Sequence, residues 1–383
     1  MTQNHSLAFA LMRGGTSKGV FLREGDVPSD REELVPLILN IFGSPDRRQI
    51  DGMGGADKLT SKVAIIGSPR LPDTDLTYLF GQVGILAPEV DFKPNCGNLT
   101  SAVAVYAIQE GLVKPIEGST TVRIHNLNTD KIIRAEVQVE NGVPRIEGDL
   151  EIGGVPGTGA PISLDFSQAA GSATGKLLPL GAPTVSIPIP DHGSFDVSVV
   201  DCANLVVFVT ADQLGMRGTE TPAEIDADKP LIARMNAIRK EVAHRVGLGE
   251  YWDSRIAPAL PLLLVVQRSM SYNIFTTGAR IDADELDLLC RAYATGSTHQ
   301  ALPTTATACL GAACRIEGSI PYLHLAARAS TRDLIEVGHP SGIIRVESRI
   351  DVSAGAPVVS MAKIFRTARR LADGNVYLRA AHA

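Results

Sequence analysis

Pro94-Asn-Cys-Gly-Asn-Leu-Thr-Ser-Ala-Val-Ala-Val-Tyr-Ala-Ile108 and Ala301-Leu-Pro-Thr-Thr-Ala-Thr-Ala-Cys-Leu-Gly-Ala-Ala313 decide how this chain folds. Each is a turn followed by a run of small residues almost free of charge. A helix that is small and uncharged on every side has to be buried all round. Short strand-like runs precede and follow both. The pattern implies two similar domains, each a barrel-like sheet wrapped around one central helix, an α+β architecture with internal pseudo-symmetry.

Working outward, strands are expected at Ser6–Met12, Gly19–Arg23, Lys62–Ile66, Val122–Ile124, Ile132–Val139, Val197–Thr210, Pro261–Gln267, Gly342–Ser348 and Val358–Phe365. Besides the two buried helices, Arg31–Phe42, Lys229–Val246 and Asp282–Tyr293 read as helical. The stretch Pro144–Pro190 is rich in Gly, Pro and Ser. It places a boundary near residue 187, giving domains 1–187 and 188–383, with the last strand crossing back. A chain of 383 residues exceeds one ordinary core and suits two.

Composition narrows the function. A net charge of −6 argues against a nucleic-acid partner, which calls for a basic face. No apolar run is long enough to span a bilayer, and Met-Thr-Gln-Asn-His-Ser has no leader-like pattern. The five cysteines, Cys96, Cys202, Cys290, Cys309 and Cys314, are odd in number and scattered. They fit free thiols in a reducing cytoplasm, with no metal-ligand spacing and no disulfide framework.

Four segments carry candidate chemistry. Met12-Arg-Gly-Gly-Thr-Ser-Lys-Gly joins two strands, with Arg13 and Lys18 bracketing the turn and Thr16 and Ser17 adding hydroxyls. It reads either as a loop gripping a carboxylate or as a hairpin with solvated cations. Lys62 precedes the apolar Val-Ala-Ile-Ile. Desolvation there favours a neutral amine able to act as a base, though a strand-end lysine reaching water fits equally. Cys96 lies where a buried helix opens, with Asn95 or Asn98 as possible caps. The unpaired N–H groups of such a turn, from Gly97 and Asn98 onward, favour a thiolate and would hold a carboxylate or an enolate oxygen. In the second half Gly296-Ser-Thr-His-Gln-Ala-Leu-Pro-Thr-Thr mirrors the Cys96 turn by position, and within it Ser297, Thr298 and His299 are candidates, His299 being most able to exchange a proton, though a capping or hydrogen-bonded histidine fits as well. Gly338-His-Pro-Ser-Gly, with Ser341 and Gly342, is a tight turn able to bind an anion. Arg366 and Arg369 are carboxylate clamps or surface charges.

These segments, together with Gly43-Ser-Pro-Asp, Gln49-Ile-Asp-Gly-Met-Gly-Gly-Ala, Thr60-Ser-Lys-Val and Tyr78-Leu-Phe-Gly-Gln-Val, resemble the PrpF family of isomerases. The resemblance implies a diaminopimelate-epimerase-like fold and a proton shift, needing no cofactor, in a small unsaturated di- or tricarboxylate. It makes Cys96 and Lys62 the acid–base pair, with acid and base unassigned. Substrate contacts would come from Arg13, Lys18, Thr16, Ser17, Asn95, Gly97, Asn98, Ser297, Thr298, His299, Ser341 and Gly342. The head of the second helix lacks the thiol that amino-acid epimerases of this fold carry, since Cys309 and Cys314 fall at least about two turns later. A symmetric racemase is therefore disfavoured. The stretch Arg48–Ile66 looks like the 4-oxalomesaconate tautomerases of aromatic-acid catabolism. The alternatives are a 2-methylaconitate or aconitate isomerase and, from another class, a cysteine hydrolase using Cys96 and His299. A homo-oligomer is compatible with all of them.

Overall fold

The computed structural model describes residues 6–353 and 355–379. The leader reading rests largely on residues 1–5, outside that range. Of the described residues, those within Met1–Glu151, Gly157–Leu164 and Arg366–Ala383 form one compact unit, and those within Ile152–Pro156 and Asp165–Phe365 form the other. Residues 165–187, placed in the first half on composition, group with the second unit. The C-terminal strand Ala368–Tyr377 pairs antiparallel with the first strand of the chain. Among the described residues no helix is long and apolar enough to cross a membrane.

In the first unit β1 (Ser6–Gly14) and β2 (Ser17–Arg23) form a hairpin, and α1 (Arg31–Phe42) follows. Asp30 caps α1 by accepting from the Glu32 N–H, and Gly43 ends it in the left-handed region at φ 68°. Next come β3 (Lys62–Gly67), β4 (Leu76–Val83), a two-residue β5 (Val90–Asp91), α2 (Gly97–Gln109), β6 (Gly118–Asn126) and β7 (Lys131–Glu140). Pairing runs antiparallel for β1/β2, parallel for β2/β3, antiparallel for β3/β4, parallel for β4/β6 and antiparallel for β6/β7. In β7, Ile133, Ala135, Val137 and Val139 are buried while Arg134 and Glu136 are exposed, the period of two a half-buried strand requires.

The second unit repeats this order. The elements that correspond are β8 (Gly193–Cys202), β9 (Asn204–Thr210), α3 (Lys229–Arg245), β10 (Leu262–Gln267), β11 (Leu288–Ala294), β12 (Ser297–Thr298), α4 (Thr304–Ala313), β13 (Leu334–His339) and β14 (Gly342–Ser353), with further short strands and helices between and around them. The pairings β8/β9, β9/β10, β10/β11, β11/β13 and β13/β14 alternate antiparallel and parallel as in the first unit. Even the short arms correspond: β5 pairs with β4 as β12 pairs with β11. In each unit the late helix is enclosed along all or nearly all of its length. Gly97 through Ile108 are all buried, and so is every residue of α4. Small side chains let strands close on a helix from all sides, since helix diameter is set by its side chains.

Two elements differ from the sequence expectation. Asp282–Tyr293 is a single 3-10 turn, Ala283–Glu285, followed by strand β11. Every residue of β11 is buried because it lies mid-sheet between β10 and β13. A strand buried on both faces has no alternation, so periodicity cannot separate it from a helix. Val197–Thr210 is a hairpin rather than one strand: Ala203 turns the chain at φ 60°.

Candidate active site

The register of β3 against β4 sets the first part of the site. Lys62 opposes Gln82, Ala64 opposes Phe80 and Ile66 opposes Tyr78. Paired residues point to one face, so Lys62, Tyr78, Phe80 and Gln82 share it. The other face, with Val63, Ile65, Leu79 and Val83, joins Leu34, Ile38, Ile41 and Phe42 of α1 in a core cluster. Lys62 is 8% exposed, so it does not reach into water. Its Nζ donates to Gln82 Oε1 at 2.7 Å and sits 5.1 Å from the Phe80 ring centroid.

The second part is the head of α2. Cys96 is its N-cap, extended at φ −125°, ψ 92°, and no side chain caps the helix. The expected cap from Asn95 or Asn98 is absent because both amides are drawn elsewhere. Asn95 Oδ1 accepts from Asn126 Nδ2 at 3.2 Å, which leaves its own Nδ2 buried without a partner. Asn98 donates to Thr16 Oγ1 at 3.1 Å and accepts from Arg366 Nε at 3.1 Å. Tyr78 is fully buried, and its hydroxyl has no partner. Burial, and secondarily the charge of Cys96, hold this phenol well above its ordinary range. Ser17 is also buried with its hydroxyl unpaired.

Glycines 14 and 15 press the β1–β2 turn against this helix head. A Cβ on Gly14 would lie 2.2 Å from Asn98 O, and one on Gly15, at φ 48°, would lie 2.1 Å from Asn98 Oδ1. The two glycines thus let the turn approach the protein's own helix closely. Gly14→Ala is expected to cost about 1–3 kcal/mol by overpacking and to displace Asn98. A denaturation midpoint indistinguishable from the parent's would contradict this contact.

The cations divide. Arg13 donates to Thr367 O and Oγ1, both at 2.9 Å, and to Gly15 O, so its guanidinium closes the turn. Lys18 is half-buried, and its backbone N–H donates to Leu59 O. Arg369 is exposed. Arg366 is 3% exposed at the α2 head, and burial pushes its guanidinium down to about 9.

In the second unit Thr298 is spoken for: its N–H and hydroxyl both donate to Asp226 Oδ1, at 2.8 and 2.7 Å. Ser297 pairs with Ala294, and the His299 N–H donates to Ala292 O. The N-cap of α4 is Pro303. Pro303 follows Thr298 at the spacing by which Cys96 follows Asp91, so Pro303 is the counterpart of Cys96, and His299 corresponds to Phe92. His299 stands back from the helix head because the short arm β12 spends residues before the helix begins. Ser341 donates its hydroxyl to Gln300 O at 2.6 Å and its N–H to His339 Nδ1. The turn ending at Gly342 is thereby joined to the His299 segment, and its serine is already engaged. Asn204 Nδ2 donates to Thr305 Oγ1, repeating in this unit the Asn98–Thr16 tie of the first.

All five cysteines are free. Burial pushes Cys202 and Cys314 up to about 12 and raises Cys290 and Cys309 as well. Thiols so disfavoured as thiolates are poor nucleophiles and poor bases. Among the described residues no group of three or more His, Cys, Asp or Glu could hold a metal ion.

A strand-wrapped helix repeated in two units is an epimerase-like fold. The same fold occurs in a hydroxyproline epimerase from Agrobacterium vitis (TM-score 0.61, 12% identity, covering 100% of this chain and 95% of that one). It occurs more closely in the crystal structure of methylitaconate-delta-isomerase (TM-score 0.81, 43% identity, 99% and 98% covered). The PrpF protein family model matches residues 5–379, and the chain belongs to that family of isomerases. Its relatives include the 3-methylitaconate isomerase of Eubacterium barkeri, 43% identical over 383 residues (100% of this chain, 99% of that protein). The 4-oxalomesaconate tautomerase of Pseudomonas putida is 35% identical over 366 residues (96% and 94%).

Tyr78 and Gln82 lie in Tyr78-Leu-Phe-Gly-Gln-Val, where neither residue type by itself announces a place beside Lys62. Alternation along that strand carries the signal: Tyr78, Phe80 and Gln82 have to share a face.

Proposed function

We propose that the chain moves a proton between the two ends of an allylic system in an unsaturated di- or tricarboxylate, with Lys62 and Cys96 as the proton-handling pair. The observation that carries this is that Ser17 Oγ, Tyr78 OH and Asn95 Nδ2, three of the five buried polar atoms without a partner among the described residues of this unit (the others are Thr77 Oγ1 and His125 Nδ1), belong to the β1–β2 turn, the Lys62 face of β4 and the residue before Cys96. A buried donor without a partner costs roughly 1–3 kcal/mol, a cost offset when a ligand supplies the acceptor. Removing a proton next to a conjugated carboxylate builds a dienolate, and the barrier falls when donors already aimed at it hold that charge. The uncapped N-terminus of α2 and the buried Arg366 supply further positive potential. One of the pair takes the proton from the first carbon and the other returns one to the far carbon. The double bond moves and no net charge is gained.

A methylitaconate-type dicarboxylate stands first as substrate, supported by 43% identity to the 3-methylitaconate isomerase over nearly the whole of both chains. The stretch Arg48–Ile66 supports 4-oxalomesaconate as the second reading. Incubation with methylitaconate, 4-oxalomesaconate and 2-methylaconitate, followed by ultraviolet absorbance and proton NMR, decides between them. Conversion of none of these acids would overturn the proposal.

Tyr78→Phe separates function from stability. Loss of one donor to the developing charge is expected to lower kcat by roughly 10²-fold. The denaturation midpoint should hold or rise, because the hydroxyl removed has no partner in the folded chain. Unchanged kcat would remove Tyr78 from the site.

A further inference from the structure

Gln82 faces Lys62 directly across the β3/β4 ladder, and the orientation of its amide is dictated by its surroundings. Its Nε2 donates to two backbone carbonyls, Lys58 O at 3.1 Å and Ser61 O at 3.0 Å. A primary amide has only those two protons to give. Turned over, the group would set its oxygen against two carbonyl oxygens and its NH2 against the lysine, losing all three bonds. Oε1 is therefore held toward Lys62 Nζ.

The platform beneath is fixed as well. Ser61 O also accepts from the Val83 N–H at 3.0 Å, and the Ser61 hydroxyl donates to Gln49 Oε1 at 2.7 Å. Gln49 is itself buried and held, accepting from the Ala56 N–H at 2.8 Å and donating to Ser44 Oγ at 2.9 Å. A line of two amides and one serine thus runs from the Gly-rich loop to the lysine. It accounts for Gln49 and Ser61 within the segments quoted from the sequence. Lysine's long stem has many rotamers and, left alone, would scatter Nζ. Gln82 also contributes an acceptor without a negative charge, so it holds Nζ without pairing it in a salt bridge.

We propose that Gln82 is a positioning residue that aims Lys62 Nζ for proton transfer while leaving its charge uncommitted. This rests on the assignment of Lys62 to the proton-handling pair. Gln82→Met keeps the length of the side chain and removes the acceptor. It is expected to lower kcat by roughly 10²-fold, the scale at which small misplacements act, with KM little changed. Gln82→Glu puts a carboxylate opposite the lysine and is expected to move the limb of the pH–rate profile that belongs to Lys62 to higher pH. A residue that only supported the fold would lower the melting temperature of both variants and leave the pH–rate profile in place, and that result overturns the proposal. Lys62→Ala, assayed alongside, separates two failures. If Lys62→Ala stays active, the assignment of Lys62 fails. If Lys62→Ala is inactive while Gln82→Met keeps the parent kcat, only the role of Gln82 falls.

Discussion

Cys96→Ala is expected to lower turnover by roughly 10²–10⁴-fold, the range for removal of a positioned acid or base, while the chain stays folded. The thiol caps α2 through its backbone rather than its side chain, so alanine at that position deletes no cap bond. The small methyl fits where a buried thiol stood, and the Thr100 N–H still donates to the residue 96 carbonyl. The effect should therefore fall on kcat, with the circular dichroism spectrum and denaturation midpoint close to the parent's. None of the other four cysteines can substitute. They are buried with raised thiols, and the α4 position that matches Cys96 holds Pro303.

Lys62→Ala is the second large effect, again roughly 10²–10⁴-fold in turnover. Its consequences for stability differ. Truncation removes the buried stem and strands Gln82 Oε1, which loses its 2.7 Å donor. A buried acceptor left unpaired costs about 1–3 kcal/mol, so a modest drop in denaturation midpoint should accompany the loss of activity. Lys62→Met, which keeps the stem, should recover part of that stability and none of the activity. Recovery of activity by Lys62→Met, which has no proton to transfer, would contradict a proton-handling role, with kcat measured at saturating substrate.

The two buried helices were legible because composition alone specifies them. A run such as Ala102-Val-Ala-Val-Tyr-Ala-Ile108 has no solvent-facing side, and neither has Thr304–Ala313. The repeated ladder around them followed from the strands between. Strand β11 was hidden for the same physical reason: a segment buried on both faces has lost the alternation that marks a strand. The polar site was legible only where a residue type advertises chemistry, as Cys96 does at a helix-opening turn. Tyr78 and Gln82 belong to a strand whose sequence reads as ordinary core. Their significance lies in pairing register, which places them beside Lys62, and in hydrogen bonds made or left unmade. That His299 stands back from the helix head was hidden for a comparable reason. Its distance to the helix depends on whether residues are consumed by the two-residue arm β12, and an arm that short leaves no periodic signal.

One exchange measurement tests the proton-handling pair most directly. The parent chain, Cys96→Ala and Lys62→Ala are each incubated in deuterated water with whichever of the three acids the parent converts, and deuterium entering the allylic carbons is followed by NMR. Rapid uptake by the parent is expected at the carbon that gains the proton, with conversion slowed at least about 10²-fold in both variants. Near-parental uptake and turnover in both variants would contradict the claim that Lys62 and Cys96 handle the proton.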